Sequence, residues 1–186
     1  MIGWVILIAL VLLIVILIGM YNSLVRLKVT CDNAWADIDV QLKRRYDLIP
    51  NLVETVKGYA GHEKGTLEAV INARNRAMSA TSPADKAQAE NMLSGALKSL
   101  FAVSENYPNL KANENFMGLQ TQLEGTENRI TTARNDYNDI VGKYNKSIRL
   151  FPANIWAGMF GFHERQFFEM KDGADTAPDV NTMFKK

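Results

Sequence analysis

The chain has 186 residues, 21 basic and 20 acidic, for a formal net charge of +1. Such a balance gives no electrostatic case for nucleic acid as a partner. The single cysteine, Cys31, excludes an intramolecular disulfide, which fits a reducing compartment.

The charges are unevenly placed. Residues 2–20, IGWVILIALVLLIVILIGM, carry none, and the first charged side chain is Arg26. An apolar helix of roughly 20 residues, rising about 1.5 Å per residue, crosses a bilayer core of about 30 Å. The run has no charged leader, is longer than the apolar part of a cleaved signal, and lacks a small-residue cleavage site, so residues 1–21 are expected to stay as a single-pass anchor in the cell membrane. Trp4 suits a membrane boundary. Arg26 and Lys28 follow the span and no Lys or Arg precedes it, which puts the N-terminus outside and the rest of the chain in the cytoplasm.

Beyond the span, Leu24, Leu27, Cys31, Ala34, Trp35, Ile38 and Leu42 recur at the 3–4 spacing of one helix face. This continuation is expected to end near Pro50, because proline disfavours helix at the residue before it and suits the first turn of a new one. A second helix is then predicted over 50–80, with Val56 and Leu67 on its buried face and Gly58, Gly61 and Gly65 weakening its middle. Ser82-Pro83-Ala84-Asp85 is a start signal for a third helix, which buries Met92, Leu93, Ala96, Leu97, Leu100, Val103 and Tyr107.

The fourth helix, from about 113 to 150, has the clearest pattern. Leu119, Leu123, Thr126, Ile130, Ala133, Tyr137, Ile140 and Tyr144 form a heptad seam, read as an intramolecular core in preference to an intermolecular coiled coil. The predicted fold is all-α: the transmembrane helix continues into an antiparallel up-down four-helix bundle over 22–170. Its core comprises Trp35, Ile38, Leu42, Val56, Leu67, Leu93, Leu97, Leu100, Leu123, Ile130, Tyr137 and Ile140.

In that topology the end of the fourth helix points at the bilayer. There Lys146 and Arg149 precede an apolar segment, 151–168, with Phe151, Ile155, Trp156, Met159, Phe160 and Phe162. Basic residues followed by rings suit the headgroup boundary; the alternative is a flap over the end of the bundle. Residues 171–186 are polar and expected to be a flexible tail.

Gln41-Leu42-Lys43-Arg44-Arg45-Tyr46-Asp47-Leu48-Ile49-Pro50-Asn51-Leu52-Val53 resembles the signature of the LemA family. Tyr21-Asn22, Tyr59-Ala60-Gly61-His62-Glu63, Asn72-Ala73-Arg74, Tyr107-Pro108-Asn109-Leu110 and Arg134-Asn135-Asp136-Tyr137-Asn138 extend the likeness over nearly the whole chain. The resemblance implies a bacterial, membrane-anchored helical-bundle protein of poorly understood function. Similar proteins occur beside a membrane-bound zinc peptidase, and one relative takes part in magnetosome membrane formation. The family brings no catalytic residues.

The residues themselves offer no catalytic, cofactor-binding or metal site. Glu-x-x-His pairs of the di-iron type fail at both histidines, since Tyr59 precedes His62 by three and Phe160 precedes His163. His62-Glu63 and His163-Glu164 lack the second histidine of a zinc-protease motif. Cys31 on an apolar face reads as a small core residue. Lys43-Arg44-Arg45 reads as a solvated face or as partners for Asp47 and Glu54. Four asparagines on the last helix, Asn128, Asn135, Asn138 and Asn145, suggest side-chain hydrogen bonds between helices or subunits, or simple exposure. The expected function is a non-enzymatic membrane scaffold that self-associates and binds membrane lipid. The runner-up, resting on the resemblance alone, is an adaptor or regulator of a membrane-bound zinc peptidase.

Overall fold

The computed structural model describes residues 1–169. The polar tail expected from 171 onward lies outside the described residues. Six helices make up the fold: α1 (Ile2–Tyr59), α2 (Lys64–Ser79), α3 (Pro83–Ser104), α4 (Pro108–Lys111), α5 (Glu114–Arg149) and α6 (Ala153–Ala157), with no strand among the described residues. One helix, α1, is long and apolar enough to cross a membrane, and the apolar window within it is not buried by the rest of the chain. At about 1.5 Å per residue, α1 is about 87 Å long.

The expected break at Pro50 does not occur. Proline has no N–H to donate to the carbonyl four residues back, here that of Tyr46. Arg74 from α2 supplies the missing donor, its Nε giving a 2.8 Å hydrogen bond to the Tyr46 carbonyl. Pro50 itself is exposed, so its ring faces water. Residues 50–59 thus belong to α1, and the predicted second helix is shortened to α2.

The chain turns instead at residues 60–63. Gly61 fits closely there, since a Cβ at this position would lie 3.1 Å from the Lys57 carbonyl oxygen. The start of α3 is capped as its sequence predicts: the Asp85 amide donates to Ser82 Oγ at 3.0 Å and Pro83 opens the helix. Asn113 caps α5 in the same way, accepting from the Phe116 amide at 3.0 Å.

Helices α1 and α5 run antiparallel and share the largest helix–helix contact, while α2 and α3 form a second pair. Paired side chains give the order along α1 and α5. Tyr59 Oη accepts from Asn113 Nδ2 at the far end, Arg45 meets Glu127 midway, and the Trp35 ring lies 5.2 Å from that of Tyr137 nearer the span. The α2–α3 pair covers only the far part of this frame. Its near end is marked by Lys86, which pairs with Asp39 at 2.6 Å and lies 5.7 Å from the Trp35 ring centre.

The core runs along this frame. Ile38, Leu42, Val56, Leu67, Leu93, Leu97, Leu100, Leu123, Ile130 and Tyr137 are buried; Trp35 and Ile140 are half-buried against them. Met92, expected inside, is 45 % exposed, because α3 turns its neighbours Leu93 and Leu97 inward instead.

The capture of the Tyr46 carbonyl can be tested by a double-mutant cycle. Arg74→Leu should cost about 1–3 kcal/mol by stranding a buried acceptor. In a Pro50→Ala background, where residue 50 regains its own donor, the same change should cost clearly less. Equal costs by urea denaturation in detergent micelles would show that Arg74 stabilises the fold by another route.

Candidate functional site

Two regions concentrate chemistry outside ordinary packing. The first is a buried charge network in the last third of α1. Arg45 is only 3 % exposed, so it is not part of the solvated basic face expected for 43–45. The reason is helical phase: positions 38, 42, 45, 46 and 49 share the face that α1 turns inward, whereas Lys43 and Arg44 point to water. The Arg45 guanidinium donates to Glu90 Oε2 at 3.0 Å and to Ser94 Oγ at 2.9 Å, and pairs with Glu127 at 2.8 Å. The Tyr46 hydroxyl donates to the other Glu90 oxygen. Adjacent residues of α1 thereby grip both oxygens of one carboxylate on α3, and Arg45 extends the grip to α5.

Glu90 is fully buried. Burial pushes its carboxyl above the usual carboxylate range, while the Arg45 guanidinium and the Tyr46 hydroxyl pull it back. Burial, with the Glu90 charge beside it, pushes the Tyr46 phenol up. A buried ion pair costs desolvation and offers little net stability, but removing one partner leaves an uncompensated charge. The network therefore acts as a register lock.

The second region is the span-proximal end of α5. After Leu150 come a cis Phe151-Pro152 bond, the short α6, and a left-handed turn at Gly161 with φ of +72°. The chain then runs back along α5 as an extended strap, residues 162–169. Two asparagines hold it. Asn145 accepts from the Arg165 amide at 2.9 Å and donates to the Arg165 carbonyl at 2.9 Å. Asn138 does the same for Phe168, at 2.8 and 3.1 Å. Seven helical residues and three extended residues both span about 10 Å, so the two rungs are in step. Tyr137 Oη adds a fifth bond, donating to the Gln166 carbonyl at 3.0 Å. Arg165 pairs with Asp32 of α1 at 2.6 Å, and Phe168 is buried 6.0 Å from the Trp35 ring. Asn128 and Asn135 are exposed.

The residues singled out for a membrane boundary divide at this end. Phe162 is buried and Trp156 half-buried, holding α6 to the body. Phe151, Ile155, Met159 and Phe160 are exposed, as is Lys146. Arg149 is engaged by Glu164 through two hydrogen bonds of 2.6 and 2.5 Å. Trp4 stands exposed on the apolar stretch of α1.

His62 lies in the turn after α1 and His163 in the strap near the span, at opposite ends of the helical body, so the two His-Glu dipeptides cannot share an ion. Cys31 is buried, and burial pushes its thiol up, away from the reactive thiolate.

The charge network predicts a pH-dependent defect. Arg45→Met should cost about 3–5 kcal/mol at neutral pH, the scale for stranding a buried partner. Glu90 is raised above its unfolded value of about 4.3, so its contribution is fully present below that value and is lost as pH rises through the folded pKa. Removing Arg45 raises the carboxyl further. The defect should therefore shrink towards acid, where Glu90 takes a proton, and Glu90→Gln should relieve part of it. A loss that is small and flat with pH in denaturant titrations would contradict the network.

The LemA family profile matches residues 34–182. The chain is similar to magnetosome protein MamQ 2 of Paramagnetospirillum magneticum, 26 % identical over 192 residues that cover 89 % of this chain and 71 % of that protein. It is also similar to protein LemA of Metamycoplasma hominis, 26 % identical over 159 residues, 83 % of this chain and 71 % of that one. Magnetosome protein MamQ of Magnetospirillum gryphiswaldense is 24 % identical over 90 % of this chain and 71 % of its own length. With the profile covering most of the chain, including the Gln41–Val53 stretch that carries the charge network of α1, the protein belongs to the LemA family.

Proposed function

We propose that this protein is a non-enzymatic scaffold, anchored by one membrane span, that self-associates in the plane of the membrane and organises or shapes it. The observation that carries the reading is the continuity of α1. One helix runs from the apolar stretch into the body and is locked there by Arg74 and by the Arg45–Glu90 network. A body joined to its anchor by unbroken helix cannot swivel freely, so neighbouring copies meet in similar orientations. Confinement to a plane also raises their effective concentration, which favours weak lateral contacts.

In the finer form of this reading, α1, α2, α3 and α5 act as an antiparallel up-down bundle of four helices, with the α5 seam as its internal core. The charge bias after the span, Arg26 and Lys28, supports an outside N-terminus and a cytoplasmic body. The relatives named as magnetosome proteins support a role at a membrane. Nothing in the fold favours the peptidase-adaptor reading over this one.

Single-molecule counting of labelled chains at native membrane density should find particles of more than one chain; monomers alone would overturn self-association. A reporter fused after Lys186 should be active in the cytoplasm, and activity only outside would reverse the orientation.

A further inference from the structure

The end of α5 and α6 leave a group of large apolar side chains exposed among the described residues. Phe151 is 79 % exposed, Met159 75 %, Ile155 54 % and Phe160 45 %. They fall within ten residues, whereas Ala157 and Phe162 from the same stretch are buried and fix it to the body. Their level relative to the span is set by Tyr21, the residue that follows the apolar run. Its ring meets Phe160 edge-on at 5.3 Å and Phe162 at 5.6 Å. The exposed group therefore sits where α1 leaves the hydrocarbon.

We propose that Phe151, Ile155, Met159 and Phe160 form a second membrane contact, a foot that enters the headgroup–acyl boundary of a phospholipid bilayer beside the span. The inference rests on reading the apolar part of α1 as that span. The occupant is lipid because the surface is continuous, through Tyr21, with a helix whose apolar residues are otherwise uncovered. Any group beside Tyr21 lies within the interfacial layer, where apolar side chains bury about 5–10 Å deep. The segment is too short to cross, and the turn at Gly161 returns the chain to the body. Lys146 is exposed and can face headgroup phosphate, whereas Arg149 is held by Glu164. The foot also gives the strap a job: by fastening 162–169 to α5, Asn138 and Asn145 keep the foot at a set height.

The test uses the full chain in vesicles of phosphatidylcholine and phosphatidylglycerol. Single cysteines, in a Cys31→Ala background, carry a spin label at Phe151, Ile155 or Met159. A label at Val11 is the lipid reference and one at Lys98, exposed on α3, the water reference. Collision with oxygen relative to a water-soluble nickel chelate should be several-fold higher at the foot than at Lys98, and lower than at Val11. Foot labels as open to nickel as Lys98, with Val11 in lipid, would overturn the foot and leave the span intact. Foot labels shielded from both reagents would also overturn it, pointing to a second copy or another protein on this surface. A Val11 label in water would instead overturn the span. As a check that needs no change at Cys31, Trp156 in a Trp4→Phe, Trp35→Phe chain should be quenched more by lipids brominated near the headgroup than by lipids brominated at the chain ends. The reverse order, or no quenching, contradicts the foot.

Discussion

The carbonyl of Tyr46 is the point on which the structure turns. Pro50 cannot donate to it, and a buried acceptor without a partner costs free energy on the scale of a lost hydrogen bond. Arg74 supplies the donor from α2. The same residue, Tyr46, uses its hydroxyl to hold Glu90 of α3, and its neighbour Arg45 reaches Glu90 and Glu127 of α5. One turn of α1 is thereby tied to three other helices by directional bonds. Hydrophobic burial along the frame is larger in total but indifferent to small slips. The polar ties set the register and let the helix continue where its own sequence argues for a stop.

A second consequence follows at the other end. The α2–α3 pair reaches back only to the level of Trp35 and Lys86, leaving α1 and α5 uncovered towards the membrane. The strap fills part of that gap. It is not a helix, so its backbone groups need partners from side chains, and Asn138, Asn145 and Tyr137 provide them. Asparagine is a poor helix former; here its two-headed amide matches the N–H and C=O of an extended residue. The weaker local propensity of α5 is compensated by docking of the strap.

Much of this was legible from the residues. The uncharged run, the Ser82 cap and the α5 seam each rest on local spacing, and local spacing is what a helix obeys. Three features were not legible, for one shared reason. Pro50 reads as a boundary because its rescuer, Arg74, lies 28 positions beyond the Tyr46 carbonyl that it satisfies. Arg45 reads as one of three surface cations, although its 3–4 spacing from Ile38, Leu42 and Ile49 places it on the inward face. The asparagines announce hydrogen bonding but not to what, because the strap that they hold follows a turn whose direction no pattern encodes. In each case the partner that decides the outcome lies far away in sequence: Arg74 for Pro50, Glu90 and Glu127 for Arg45, and the strap for the asparagines.

The continuity of α1 through Pro50 is the claim on which register, orientation and the proposed scaffold all depend. Spin labels at Lys28 and Glu54, both exposed, in a Cys31→Ala chain reconstituted in bilayers, measure it directly by pulsed dipolar spectroscopy. An unbroken helix predicts a narrow distribution centred at about 39 Å for these 26 residues. A helix that stopped at Pro50 and folded back would bring the labels to about 28 Å, and a distribution centred there would contradict the account.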